Sequence, residues 1–157
     1  MTKPTKPLKH YTASAFVFTN QLPAKVLLVH HKKFDKWMQP GGHQEEYENP
    51  VEAVIREVKE ETGLDITPNL ANSHPIDDHA ALIPQPSYLM ECLIPKHGQE
   101  PEHYHLEQSY VVRIPEQPVP RKAHQEHGAR WFQAEELDAL DMFPNVRMIV
   151  QQELSKE

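Results

Sequence analysis

Two β-rich runs open the pattern of apolar and polar positions, Tyr11 to Thr19 and Lys25 to His31, separated by Asn20-Gln21-Leu22-Pro23-Ala24. They predict two strands joined by a short loop. After a compact turn at Gln39-Pro40-Gly41-Gly42 the period changes. Val51, Val54, Ile55 and Val58 fall at i, i+3, i+4 and i+7, one apolar stripe for packing on a sheet. Asn49 suits the cap, Pro50 the first helical position and Gly63 the left-handed residue past the end, so a helix is predicted over Pro50 to Thr62. Nine of the 15 prolines lie between residues 68 and 120, which excludes long helices there and limits strands to short pieces. Tyr88 to Ile94 and Tyr104 to Ile114 are the strands this region predicts, with long loops between them. Ala129 to Gln133 reads as a last strand, Ala134 to Leu140 as a helical turn, and Asn145 to Leu154 as a terminal helix. Such an order implies a mixed sheet covered on both faces.

At 157 residues the chain has room for one domain, residues 1–157, with residues 1–9 as a flexible lead. A net charge of -7 argues against a nucleic-acid polymer or an anionic membrane as partner. The single cysteine, Cys92, excludes an intrachain disulfide and fits a reducing compartment; in its apolar run it reads as a packing residue. The start, MTKPTKPLKH, carries no apolar core of a signal peptide, and no run approaches the length of a membrane span. The expectation is a soluble, cytoplasmic protein.

The charge is unevenly spread. From Gly42 to Leu64 stand seven acids, Glu45, Glu46, Glu48, Glu52, Glu57, Glu60 and Glu61, against Arg56 and Lys59, so -5 of the -7 falls in this segment. Glu57, Glu60 and Glu61 are related by i, i+3 and i+4, and their carboxylates converge roughly a third of a turn from the valine stripe. Open solvent tolerates such a patch. In a cleft of effective dielectric near 20, charges about 5 Å apart repel by roughly 3 kcal/mol per pair, and the patch then demands a cation. Carboxylate oxygens suit Mg²⁺, Mn²⁺ or Ca²⁺ rather than zinc or copper. Composition alone leaves both readings open.

Spacing separates them. The segment GHQEEYENPVEAVIREVKEETGL resembles the Nudix box in full: Gly42, five residues, Glu48, seven residues, then Arg56-Glu57-Val58-x-Glu60-Glu61-x-Gly63-Leu64. Seven fixed residue types coincide by chance on the order of once in 10⁸ start positions. Weaker likeness extends to Trp37-Met38-Gln39-Pro40-Gly41 and to Arg130-Trp131-Phe132 with Glu135-Glu136-Leu137. The resemblance implies an α/β (α+β) fold, the Nudix α/β/α sandwich with a mixed β-sheet. It also implies a Mg²⁺-dependent hydrolase, Mn²⁺ being the alternative ion, that cleaves a diphosphate bond in a small-molecule substrate. The substrate class is a nucleoside diphosphate linked to another moiety, nucleoside triphosphates included; a non-nucleotide diphosphate is the alternative. A silent nucleotide-binding module is the other class of reading, although silent members usually lose box glutamates and this chain keeps them. Family members occur as monomers and as homodimers.

By the same resemblance, Glu57, Glu60 and Glu61 hold the metal together with the Gly41 carbonyl, and Glu57, Glu60 and Arg56 serve catalysis. Arg56 orients glutamates and Glu48 supports the loop before the helix. Gly42 and Gly63 serve backbone geometry. Glu52, four residues before Arg56, stands in the favourable order for an ion pair. The general base is left open, with Glu126 and Glu107 as candidate distal acids beside the plainer reading of surface acids. His43, next to the Gly-Gly turn, and Asn145, in Met142-Phe143-Pro144-Asn145, are candidate substrate contacts. His103 and His105 share a strand face, but no cysteine or third ligand stands at a recognisable zinc spacing. Trp37 and Trp131 read as core residues.

Overall fold

Strand β1 (Lys9–Thr19) is the axis on which everything else is hung. The structure, a computed structural model, describes residues 7–120 and 128–156. Along the chain follow β2 (Val26–His31), β3 (Lys36–Met38), β4 (Gly41–His43), α1 (Pro50–Thr62), a one-turn α2 (Thr67–Leu70), β5 (His74–Pro75), β6 (Ala81–Leu82), β7 (Tyr88–Ile94), β8 (His103–Ile114), β9 (Ala129–Phe132), a 3₁₀ turn (Ala134–Ala139) and α3 (Pro144–Leu154).

The main sheet runs β3-β2-β1-β8-β7, with β4 paired to β1 and β9 to β2. β1 and β8 run parallel in unbroken register from Lys9↔Tyr104 to Thr19↔Ile114. β1 has a divided opposite edge: Val17 and Phe18 pair with β2, whereas Thr12 to Ser14 pair with β4. β5 and β6 form a separate exposed hairpin.

Side-chain alternation sorts β1 between two cores. Ala13, Ala15 and Val17 pack with Val51, Val54 and Val58 of α1, while Phe16 and Phe18 pack with Val146, Ile149 and Val150 of α3. The mixed sheet between two helical layers is the predicted sandwich. Trp131 and Trp37 pack against the first and second core respectively, as core residues should.

Helix α1 has the predicted bounds, and its ends are held as expected. Glu52 N–H donates to Asn49 Oδ1 at 2.9 Å and Asn49 N–H to Glu52 Oε1 at 3.1 Å, a reciprocal cap. Gly63 closes the other end at φ 79°, its amide donating to the Lys59 carbonyl. Glu52 therefore serves the cap instead of the i, i+4 pair with Arg56, because the cap satisfies two backbone-linked donors at once. β7 also has its predicted bounds. β1 starts two residues before the expected Tyr11, and β8 starts one residue before the expected Tyr104 and ends at Ile114 as predicted. No proline falls between Pro101 and Pro115, so the ladder there is uninterrupted. No helix among the described residues is long and apolar enough to cross a membrane.

Candidate active site

The bottom of the cleft is set where α1 meets β4. A Cβ on Gly42 would lie 2.5 Å from Glu57 Oε1, and one on Gly41 would lie 2.5 Å from Ser14 Cβ. A side chain at position 41 would run into the β1 backbone, and one at position 42 into the Glu57 carboxylate. Gly41 N–H then donates to Glu61 Oε1 at 3.0 Å.

Arg56 ties the loop to the helix. Its Nε and Nη2 donate to Glu48 Oε2 and Oε1 at 2.7 and 2.8 Å, a bidentate pair. Nη1 donates to Glu57 Oε1 at 3.0 Å and to Glu60 Oε2 at 3.3 Å, and Nη2 reaches the His43 carbonyl at 3.1 Å. The guanidinium holds the Glu48 carboxyl below its usual range.

Burial divides the three helix glutamates. Glu57 and Glu61 stand within hydrogen-bond reach of each other. Desolvation raises the Glu57 carboxyl, and it raises Glu61 to about 8, opposed by the Gly41 amide and reinforced by the Glu57 charge. Glu60 is 57% exposed and extends toward Arg56. Glu61 thus lines the cleft, with Glu57 beside it and Glu60 the more exposed of the three.

The cleft has a volume of about 360 Å³. Its polar lining comes from Glu61, Gly41, Gly42, Thr12, Ser14 and Glu107, and its apolar lining from Phe34, Met38, Phe143 and Met90, the last paired across strands with Glu107; Asn145 also lines it. Phe34 and Phe143 meet edge to face at 5.5 Å between ring centres. Glu107 is no surface acid: it lies in the cleft, Thr12 Oγ1 donates to it, and burial raises its carboxyl. His43 and Asn145, the candidate substrate contacts, line the same cleft. Glu126 lies outside the described residues. Cys92 is half-buried on the cleft wall, not sealed in a core, because it lies on the half-buried face of β7 that Met90 and Ile94 also present to the cleft.

Thr12, Ser14, Gln39 and Phe34 were not singled out by sequence reasoning. For the first two a signal existed: along one face of β1 the residues run His10, Thr12, Ser14, Phe16, Phe18, polar and then aromatic. Ser14 Oγ lies 2.9 Å from Ser109 Oγ, and Gln39 Oε1 is buried without a hydrogen-bond partner beside them.

A sandwich with a carboxylate pair against a Gly-Gly strand defines a class, and a family model for the NUDIX domain matches residues 8–152. The chain belongs to the NUDIX family of hydrolases. A solved NUDIX-family hydrolase from Clostridium perfringens is 26% identical, covers 92% of this chain and 95% of its own, and superposes with a TM-score of 0.69. Two curated relatives match over 53 residues, 34% of this chain. They are a putative 8-oxo-dGTP diphosphatase of Bacillus subtilis (strain 168), 42% identical, and the mRNA-decapping enzyme subunit 2 of Saccharomyces cerevisiae (strain YJM789), 43% identical. The matched stretch spans 36% of the first relative's length and 5% of the second's.

Proposed function

We propose that this chain hydrolyses the diphosphate linkage of a nucleoside diphosphate derivative, nucleoside triphosphates included, with Mg²⁺ or Mn²⁺ as cofactor. One observation carries the reading: a single cleft is lined both by Glu61, which has Glu57 within hydrogen-bond reach, and by the aromatic rings of Phe34 and Phe143. The first suits a charged diphosphate and the second the flat face of a base.

The donor set fits a hard divalent ion. Two desolvated carboxylates in mutual contact favour a shared proton, and a cation that replaces that proton relieves both the repulsion and the desolvation. Glu57 and Glu61, joined by Glu60 and the Gly41 carbonyl, are the proposed ligands. The ion supplies charge neutralisation at the phosphates and acidity to a bound water. Arg56 fixes the carboxylates in orientation, with Glu48 as its anchor. Glu107, raised by burial and sited in the cleft, is the proposed general base, taking the proton of the attacking water as its oxygen bonds to phosphorus and the phosphoanhydride oxygen leaves. Asn145 offers donor and acceptor to a base edge.

The acidic chain, -7 in net charge, disfavours a polymeric RNA substrate of the kind the decapping relative's name denotes. The purified protein, assayed with Mg²⁺ and with Mn²⁺ against nucleoside triphosphates, nucleoside diphosphate conjugates and non-nucleotide diphosphates, is expected to turn over the nucleotide group. Glu57→Gln, Glu60→Gln and Glu61→Gln should each remove metal-dependent turnover while the fold persists. Undiminished turnover in all three, or turnover of non-nucleotide diphosphates alone, overturns the reading.

A further inference from the structure

Strand register brings together four histidines that sequence spacing leaves apart. In the parallel β1–β8 pairing His10 stands beside His105, and in the antiparallel β1–β4 pairing His43 stands beside Thr12, two residues on from His10. One face of three adjacent strands therefore carries His10, His43 and His105, and His103 precedes His105 on that same face. Ring centres lie 4.9 Å apart for His43 and His105, and 5.0 Å apart for both His10–His103 and His103–His105. The third ligand missing from the sequence spacing is supplied by the sheet.

We propose that His10, His43 and His105 form a transition-metal site of the Zn²⁺ class, at the wall of the cleft and separate from the carboxylate site on α1. One ring nitrogen from each lies within 4.8 Å of the other two. A tetrahedral zinc with bonds of about 2.0–2.1 Å needs nitrogens roughly 3.4 Å apart, so a contraction of at most about 1.4 Å by side-chain rotation closes the site. Imidazole nitrogens select zinc, cobalt, nickel or copper over Mg²⁺, whereas the oxygen donors of the α1 pair do the reverse. The two sites thus differ in the ion they prefer even though β4 contributes to both.

The surroundings also suit a cation. His10 Nδ1 is buried and has no hydrogen-bond partner. His103 is set behind the trio: a backbone carbonyl can only accept, so His103 Nδ1–H donates to the Pro101 carbonyl at 2.9 Å. A neutral His103 then accepts at Nε2 from His105 Nε2–H, 3.2 Å away, which leaves the His105 Nδ1 lone pair for a metal. A ligand histidine whose other nitrogen is held by a neighbour is the usual arrangement at such sites. Glu100 Oε1 lies 3.4 Å from His103 Nε2, its other oxygen paired with Lys33. Three protein ligands leave a fourth position for water or a substrate oxygen, and both His43 and His105 line the cleft.

The test uses the full chain without a histidine tag. Zn²⁺ is equilibrated with the protein in excess Mg²⁺ and quantified after dialysis, and Co²⁺ serves as a visible-absorption probe of imidazole ligation. One Zn²⁺ per chain is expected, retained against Mg²⁺. Retention and the Co²⁺ bands should vanish in His10→Ala and His105→Ala, weaken about tenfold in His103→Gln, and persist in Glu61→Gln. Absence of stoichiometric Zn²⁺ in the wild-type protein overturns the proposal. So does retention by both alanine variants, or loss in Glu61→Gln with retention in the histidine variants. If an alanine variant fails to fold by circular dichroism, His10→Gln and the wild-type Co²⁺ spectrum decide. The readout is metal bound, not turnover, so failure here leaves the hydrolase reading untouched, and failure of that reading leaves this site standing.

Discussion

The Gly41 amide donates to Glu61 Oε1 at 3.0 Å, joining residue 61 at the end of one helix to a strand 20 residues earlier. The bond fixes one oxygen of a carboxylate whose burial would otherwise favour rearrangement, and it leaves the second oxygen for the cleft. The α1 glutamates are therefore positioned from outside as well as by helical spacing.

That close approach makes Gly42 sensitive to a single methyl group. In Gly42→Ala the new Cβ meets the Glu57 carboxylate at 2.5 Å and must displace it. A misplacement of this order lowers kcat by roughly 10²-fold. Steady-state kinetics should show the loss in kcat, and circular dichroism should show an unchanged fold.

Metal-free stability should depend on pH through Glu61. Its folded pKa of about 8 lies above the ordinary 4.5, so the native state holds the proton more tightly than the unfolded chain. The contribution is fully present below pH 4.5 and is lost as pH rises through 8, with a slope of at most about 1.4 kcal/mol per pH unit. His105, lowered to about 4 by burial, has the opposite sign and has finished contributing above its ordinary 6.5. Between pH 6.5 and 8, Tm in a chelator should fall for the wild-type protein and stay flatter for Glu61→Gln. Mg²⁺ should bind more tightly as pH rises through this window, since it displaces the proton.

The cap of α1 separates stability from chemistry. Asn49→Ala removes one half of the reciprocal cap and should cost about 1 kcal/mol, or roughly 2–4 °C in Tm for a domain of this size. Differential scanning calorimetry measures the shift, while kcat at saturating substrate should be unchanged at 25 °C.

The aromatic lining of the cleft should govern affinity. Phe143→Ala removes one face of the apolar wall and is expected to raise KM for a nucleotide substrate about tenfold, equivalent to roughly 1.4 kcal/mol, with little change in kcat. An unchanged KM would exclude this wall from base binding.

Local rules made α1 legible from its sequence: the valine stripe, Asn49, Pro50 and Gly63 lie within 15 residues, the box spacing within 23, and together they specify the helix. β7 was legible for the same reason, as a short apolar run bounded by prolines. Glu107 was named only as one of two candidate acids, and its meeting with Thr12 and Ser14 was not legible, because it depends on β1 and β8 pairing in parallel across 95 residues of chain, a register no local period encodes. His10 escaped for a related reason, since its neighbours at His43 and His105 come from two different pairings of the same strand. Glu52 was misassigned because two local rules competed for one side chain, and the capping box prevailed over the ion pair.

The alternation of β1 has a consequence for how this gene could change. Thr12 and Ser14, which face the cleft, share one face with Phe16 and Phe18 beneath α3, while Ala13, Ala15 and Val17 face α1. Insertion or deletion of one codon within the strand would swap the two faces, turning aromatic rings toward the α1 side and sliding every paired group on β8 and β4 out of step. Substitutions along β1 can be sampled one at a time, but its length is frozen: a frame of two residues, written into the protein, constrains it as tightly as the frame of three constrains its message.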